Sequence, residues 1–136
     1  MADLRTQVLV VGGGHAGYEA ALASARMGVK TTLVTLDSNQ IGRLPCNPAV
    51  GGIAKSHLVS EVDALGGEIA KNADFTGIQY RMLNTRKGPA VQSNRIQCDK
   101  NAYPLRIQKI LMQQENLTII DDMVLSIDTS KNKIKS

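Results

Sequence analysis

The apolar pattern of this chain alternates between strand-length runs and helix-length segments. Val8-Leu9-Val10-Val11 is an unbroken apolar run of strand length, and an Ala-rich helical segment follows from Gly17 to Gly28. Thr32-Leu33-Val34-Thr35 is β-branched and reads as a second strand. A second helix is expected from Ile53 to Leu65. Ala54, Leu58, Val62 and Leu65 share one of its faces with Val59 beside them, and Gly66-Gly67 closes it. A third helix runs from about Tyr103 to Gln114, with Asn101 as its cap and Pro104 in the first turn. Leu117 to Ile120 and Val124 to Ile127 read as strands, and Asp128 to Asn132 as a turn. Two stretches break the rhythm. Leu36 to Gly52 is a long loop carrying Asp37-Ser38-Asn39, Gly42, Pro45, Pro48 and Gly51-Gly52, and loops of that length are usually functional or disordered. Residues 72–98 offer turn signals at Thr76-Gly77 and Gly88-Pro89, one short strand from Ile78 to Leu83, and otherwise no clear period. Alternating strand and helix implies an α/β fold with a parallel sheet and flanking helices.

The junction of the first strand and first helix carries the chemistry. Gly12-Gly13-Gly14-His15-Ala16-Gly17 places glycines at 12, 14 and 17 directly between strand and helix. This is the dinucleotide fingerprint in the context that gives it meaning. Gly12 permits the tight turn, Gly14 lets the backbone approach a pyrophosphate, and Gly17 lets helix and strand pack closely. The free N–H groups and positive dipole end of the helix then face the diphosphate. The fold class is therefore a Rossmann-like FAD/NAD(P)-binding domain. In such a unit an acidic residue near the end of the second strand binds ribose hydroxyls. Thr35 holds that position and Asp37 follows two residues later. Asp37 is either a ribose ligand or the opener of a turn, and the fingerprint alone leaves NAD and FAD both open.

Composition narrows the partners. The chain has 136 residues, one domain or a piece of one, and is 43% hydrophobic, enough for a core. Its net charge of +4 is unevenly distributed. Residues 81–109 hold Arg81, Arg86, Lys87, Arg95, Lys100, Arg106 and Lys109 against Asp99 alone, a face for anions or nucleic acid or simply a solvated basic surface. Cys46 and Cys98 make no disulfide framework, and neither they nor His15 and His57 fall at metal-ligand spacing. No stretch reaches the roughly 18 apolar residues of a membrane span. The first strand starts within a few residues of Met1, so a signal or transit peptide is not expected and a cytoplasmic protein is.

Three further blocks are specific. They read Leu44-Pro45-Cys46-Asn47-Pro48-Ala49-Val50-Gly51-Gly52-Ile53-Ala54-Lys55, Glu61-Val62-Asp63-Ala64-Leu65-Gly66-Gly67, and Leu83-Asn84-Thr85-Arg86-Lys87-Gly88-Pro89-Ala90-Val91. With GGGHAGYEAA in front, the chain resembles the glucose-inhibited division protein A family, the FAD-dependent tRNA uridine 5-carboxymethylaminomethyl modification enzymes, along essentially its whole length. The resemblance implies a glutathione-reductase-like FAD domain with an inserted NAD-binding domain and a helical C-terminal region. Family members are several times longer, so residues 1–136 correspond to the N-terminal part of the FAD-binding domain. It also implies a homodimer that works with the GTPase MnmE on the wobble uridine of tRNA. FAD carries the redox chemistry, NADH is the reductant, methylenetetrahydrofolate the carbon donor, and glycine or ammonium the amine. Residue by residue, Gly12, Gly13, Gly14, His15, Ala16 and Gly17 match the FAD diphosphate loop. Val124 matches the position where strand backbone meets the adenine. Cys46 matches a family cysteine implicated in activity. Pro45 departs from the small residue expected before that cysteine, which bears on the loop's shape.

The residue chemistry around Cys46 agrees. Carbon 5 of uracil is poorly electrophilic, and thiolate attack at carbon 6 is a common aid. Cys46 sits in a Pro- and Gly-rich loop before the second helix, with Arg43 and Lys55 near in sequence. The bland reading is an inert, buried thiol. Three other functions stay open on sequence grounds: the related folate- and FAD-dependent tRNA methyltransferase, which lacks the Cys46-Asn47-Pro48-Ala49 block, a flavin disulfide reductase or NAD-dependent oxidoreductase, which would want a CxxxxC pair where only Cys46 stands, and a fragment that binds nucleotide or a partner without catalysis.

Overall fold

A computed structural model describes residues 4–131 and 133–134. Met1, Ala2 and Asp3, and Asn132 of the expected final turn, lie outside the described residues. In chain order the elements are β1 (Val8–Val11), α1 (His15–Arg26), β2 (Thr31–Thr35), β3 (Ala49–Gly51), α2 (Ser56–Ala64), α3 (Ile69–Thr76), β4 (Gly77–Leu83), β5 (Ser93–Cys98), α4 (Ala102–Gln113), β6 (Leu117–Asp121), β7 (Thr129–Ser130) and β8 (Lys133–Ile134), with 3₁₀ turns at Ser38–Gln40 and Pro89–Val91. The expected parallel sheet is present, in the order β1-β2-β6. Val10 pairs with Leu33 and Leu33 with Ile119, so one face of the sheet is a row of aliphatic side chains. That face packs on α1 through Tyr18, Ala21 and Leu22 and on α4 through Tyr103, Ile107 and Leu111. Both helices bury residues at the three- and four-residue spacings of a single helical stripe.

A second sheet, antiparallel in the order β3-β5-β4, enlarges the parallel α/β layout expected from sequence. It takes in part of the long loop and about half of residues 72–98. Val50, Ile96 and Cys98 turn one of its faces into the same core. Helix α3 joins them, although its inward positions include the polar Asn72 and Thr76. Asn72 donates from Nδ2 to the Tyr103 carbonyl at 2.9 Å, and Thr76 Oγ1 donates to the Asn72 carbonyl at 2.7 Å. Polar side chains satisfied in this way are tolerated inside, but they hide the helix from an apolar-period reading.

Charge locks the helices together. The Glu19 carboxylate of α1 accepts from the backbone N–H groups of Glu68 and Ile69 at 2.8 and 2.7 Å, capping α3 from outside. Glu68, with 6% of its side chain exposed, pairs with Arg26 of α1 at 2.8 Å and Arg106 of α4 at 3.0 Å. Arg106 also donates to Asn72 and lies over the Phe75 ring, 4.3 Å from its centre. Burial opposes ionisation of Glu68, yet the hydrogen bonds and charges of Arg26 and Arg106 outweigh it and hold the carboxyl below its usual pKa.

Four sequence expectations change. The second helix begins at Ser56, because Ala54 takes a left-handed conformation (φ 59°) and the Ser56 hydroxyl is drawn to the Gly52 and Asn94 carbonyls. Val59 is its core contact, while Leu58 and Leu65 stay exposed. Asn101 does not cap α4. The Asp99 carboxylate does, accepting from the N–H groups of Asn101 and Ala102 at 2.8 Å each. Residues 124–127 form no strand, having no ladder partner among the described residues. The tail instead folds as the small β7–β8 hairpin. The first helix opens at His15, two residues before Gly17.

Candidate functional site

The C-terminal ends of β1, β2 and β6 and the N-terminus of α1 converge on one cleft of about 560 Å³. In open α/β sheets, ligands bind at such strand ends. Gly12, Gly13 and Gly14 form its floor, Thr35 and Asp37 one wall, and Asp122 and Val124 another. Gly12, Gly13 and Gly14 therefore meet Val124, 110 or more residues away in sequence, in a single cavity, whereas His15, Ala16 and Gly17 do not line it.

Each glycine is needed for a different reason. Gly12 has φ of +101° and its N–H donates to the Val34 carbonyl at 2.8 Å, which swings the chain out of the sheet. A Cβ on Gly17 would strike the Gly12 carbonyl oxygen, so helix and turn touch backbone to backbone. A Cβ on Gly13 would press on Ile41, which anchors the following loop. A Cβ on Gly14 meets nothing within 4 Å, so the space over Gly14 is open on the cleft side. The N–H groups of His15, Ala16 and Gly17 belong to the first turn of α1 and have no acceptor one turn back.

His15 contributes more than backbone. Its ring lies 5.3 Å from Tyr18 and 5.8 Å from Tyr103, and the two tyrosine hydroxyls sit 3.2 Å apart in the core. Burial lowers the His15 pKa, so the ring is neutral at pH 7, and burial also raises the pKa of both tyrosines. Asp37 opens a turn. Its carboxylate accepts from the backbone N–H of Asn39 at 2.9 Å and from Asn39 Nδ2 at 3.0 Å, and the backbone bond chiefly holds its pKa low. It also lies on the cleft wall. Asp121, beside it, accepts from the Ser38 N–H.

Cys46 is elsewhere. It is exposed and lines a second cleft of about 410 Å³ with Asn47, Gly52, Ile53, Lys55, Leu83 and Arg95. Of the cations near it in sequence, Lys55 reaches this cleft, while Arg43 is engaged by Gln40 at 2.7 Å. Arg95, far away in sequence, was named only as part of the basic segment and not with Cys46. Cys98 is a core thiol, its pKa raised by burial. His57 is exposed on α2. Sequence reasoning also missed Gln40, Asp122 and Met123 in the first cleft. The Asp121-Asp122 pair closing a strand was the one available signal. No described helix is long and apolar enough to cross a membrane.

Parallel strands, a glycine turn and a helix N-terminus at their carboxyl ends define the class: an α/β domain of the Rossmann-like type. Within that class, p-nitrophenol 4-monooxygenase PnpA from Pseudomonas putida DLL-E4 has the same fold at TM-score 0.65 and 18% identity, covering 98% of this chain and 36% of that one. The family model described as Glucose inhibited division protein A matches residues 7–136, and the chain belongs to that family. It is 56% identical over 131 residues to the tRNA uridine 5-carboxymethylaminomethyl modification enzyme MnmG of Sulfurihydrogenibium sp. (strain YO3AOP1), covering 96% of this chain and 21% of that protein. The structure of Aquifex aeolicus GidA in the form II crystal superposes at TM-score 0.92 with 54% identity, covering 96% of this chain and 22% of that one. The chain spans about a fifth of the length of the curated relatives it matches.

Proposed function

We propose that this segment supplies the FAD diphosphate site of an enzyme that modifies carbon 5 of the wobble uridine in tRNA. The observation that carries the reading is the shared cavity of Gly12, Gly13, Gly14 and Val124 at the strand ends, open above Gly14. The residues fit FAD in kind. The first-turn N–H groups of α1 suit a diphosphate. Asp37, ionised and on the wall, suits ribose hydroxyls while it opens its turn. Val124, outside any strand ladder and on the cleft wall, suits a backbone contact to the adenine edge. When bound, FAD supplies the redox capacity of the reaction.

The chain's own residues bind and orient. His15, held neutral between two tyrosines, fixes the first turn of α1 and puts no positive charge of its own there. Cys46 supplies an exposed thiol in a cleft that also holds Lys55 and Arg95. The activity for which the MnmG relatives are named, together with the family resemblance, supports the rest of the reading. NADH is the reductant and methylenetetrahydrofolate the carbon donor, both bound mainly outside residues 1–136. The whole enzyme is a cytoplasmic homodimer acting with MnmE. Gly14→Val in the full-length protein tests the cradle. Its branched side chain fills the open space, and flavin occupancy of the purified enzyme, read from absorbance, drops to a minor fraction. Wild-type occupancy refutes the assignment.

A further inference from the structure

The basic segment at 81–109 has a specific geometry. Arg81 and Arg95 are register partners on the antiparallel strands β4 and β5, so their side chains leave the same face of the sheet side by side. Gly51 of β3 is the register partner of Arg95 on its other side, and Leu83 lies on the same face two residues beyond Arg81. Arg95, Gly51 and Leu83 line the Cys46 cleft, and Lys55 comes in from the start of α2. The opposite face of this sheet is spent on the core through Val50, Ile96 and Cys98.

Like charges directly opposite one another on a ladder are destabilising. Among the described residues, no carboxylate forms an ion pair with either arginine. Among the described residues, both ion pairs go to Glu68, from Arg26 and Arg106, and Arg81, Arg95 and Lys55 form none. Several acids are committed elsewhere: Asp99 to the N-terminus of α4, Glu19 to that of α3, and Asp121 to Ser38. Among the described residues, no carboxylate lines the cleft. Two cations, Lys55 and Arg95, thus line a cavity with a thiol on its rim, and Arg81 stands beside Arg95 on the same sheet face. Arg86 and Lys87 continue the positive charge into the β4–β5 connection. A track of this length suits a polyanion better than a single small anion.

We infer that Arg81, Arg95 and Lys55 form a phosphate-binding subsite for the RNA backbone, which presents the target base to the cleft that holds Cys46. The inference rests on the proposed function for its substrate and adds the residues that position it. Arginine's planar fork suits a phosphate held by two donors. An anion bound between the two arginines also relieves their repulsion.

The test uses full-length protein and a fluorescein-labelled, unmodified tRNA transcript, with binding followed by anisotropy over a series of salt concentrations. Arg81→Gln and Arg95→Gln each weaken binding about tenfold, as expected for loss of a charged hydrogen bond. Each also lowers the slope of log K against log salt by about one, and the double variant by about two. Arg81→Lys and Arg95→Lys keep the slope and lose only a few-fold affinity. Flavin content and melting temperature are not reduced, because removing one of two facing like charges costs the fold nothing. Lys109→Gln, exposed on α4 away from the cleft, leaves binding unchanged. Wild-type affinity and slope in the arginine variants overturn the inference, as does an equal loss in Lys109→Gln. So does a raised KM for a small anionic co-substrate with tRNA affinity intact. Wild-type protein that neither binds nor modifies tRNA defeats the proposed function itself, a separate outcome.

Discussion

The two clefts of this molecule are built in opposite ways. The glycine cleft hangs on one short sequence, Gly12 to Gly17, set at the ends of parallel strands whose register the aliphatic rows of β1, β2 and β6 fix. The Cys46 cleft has no local blueprint. Its walls come from the loop after the first 3₁₀ turn, from β3, from the turn before α2, and from β4 and β5. The first is floored by the backbone of a glycine turn. The second collects an exposed thiol and charged side chains that are distant in sequence. Binding of a common cofactor moiety can be encoded locally, whereas chemistry on a particular substrate needs long-range convergence.

The strongest way to break this contrast is to remove the thiol. Cys46→Ser in the full-length enzyme is expected to cut wobble-uridine modification by at least about a thousandfold, as loss of a reacting group does. The side chain is exposed and contributes no core contact. Flavin content and melting temperature therefore stay at wild-type values. Modified-nucleoside analysis of tRNA from cells relying on the variant reads the result. Normal levels mean that the second cleft is not a chemical site.

The same contrast explains what the sequence revealed. The parallel sheet, α1, α4 and the glycine cradle were legible because a local period or motif determined each. Val124 reached the cradle through the family resemblance, and it lines the same cavity. The second sheet was not legible. β3 is three residues long inside a Pro- and Gly-rich loop, and β5 carries Asn94, Arg95 and Gln97 between its apolar positions. Helix α3 buries Asn72 where a period search expects a hydrophobe. Arg95 was visible only as one charge among seven, since its partners Arg81 and Gly51 are set by strand register.

Rigidity of the first cleft can be sharpened at Gly17. Its added Cβ would meet the Gly12 carbonyl oxygen, which is backbone and cannot rotate aside. Gly17→Ala therefore forces α1 away from the turn. The expected cost is about 3 kcal/mol, at the upper end for overpacking, seen as a lowered denaturation midpoint. A midpoint within error of wild type means that the turn yields, and the picture of a fixed cradle fails.

The smallest effect concerns the clamp that holds the two regions together. Glu68 ties α1, which starts at the glycine cradle, to α3 and α4, and α3 packs against the second sheet. Its folded-state pKa is depressed, so its contribution is fully present above the ordinary glutamate pKa of about 4.3 and is lost as pH falls through the folded value. Glu68→Gln keeps size and some hydrogen bonding but removes the charge shared by Arg26 and Arg106. It is expected to cost about 2 kcal/mol at neutral pH, in line with hydrogen bonds to charged groups. The variant's stability also falls less steeply than that of the wild type as the solution is acidified below pH 4.3, because one carboxylate with a depressed pKa is gone. Denaturation curves for both proteins, collected from neutral to acid pH, should therefore converge on acidification. Parallel curves would mean that Glu68 packs the helices without its charge, and that the two clefts are joined by shape alone.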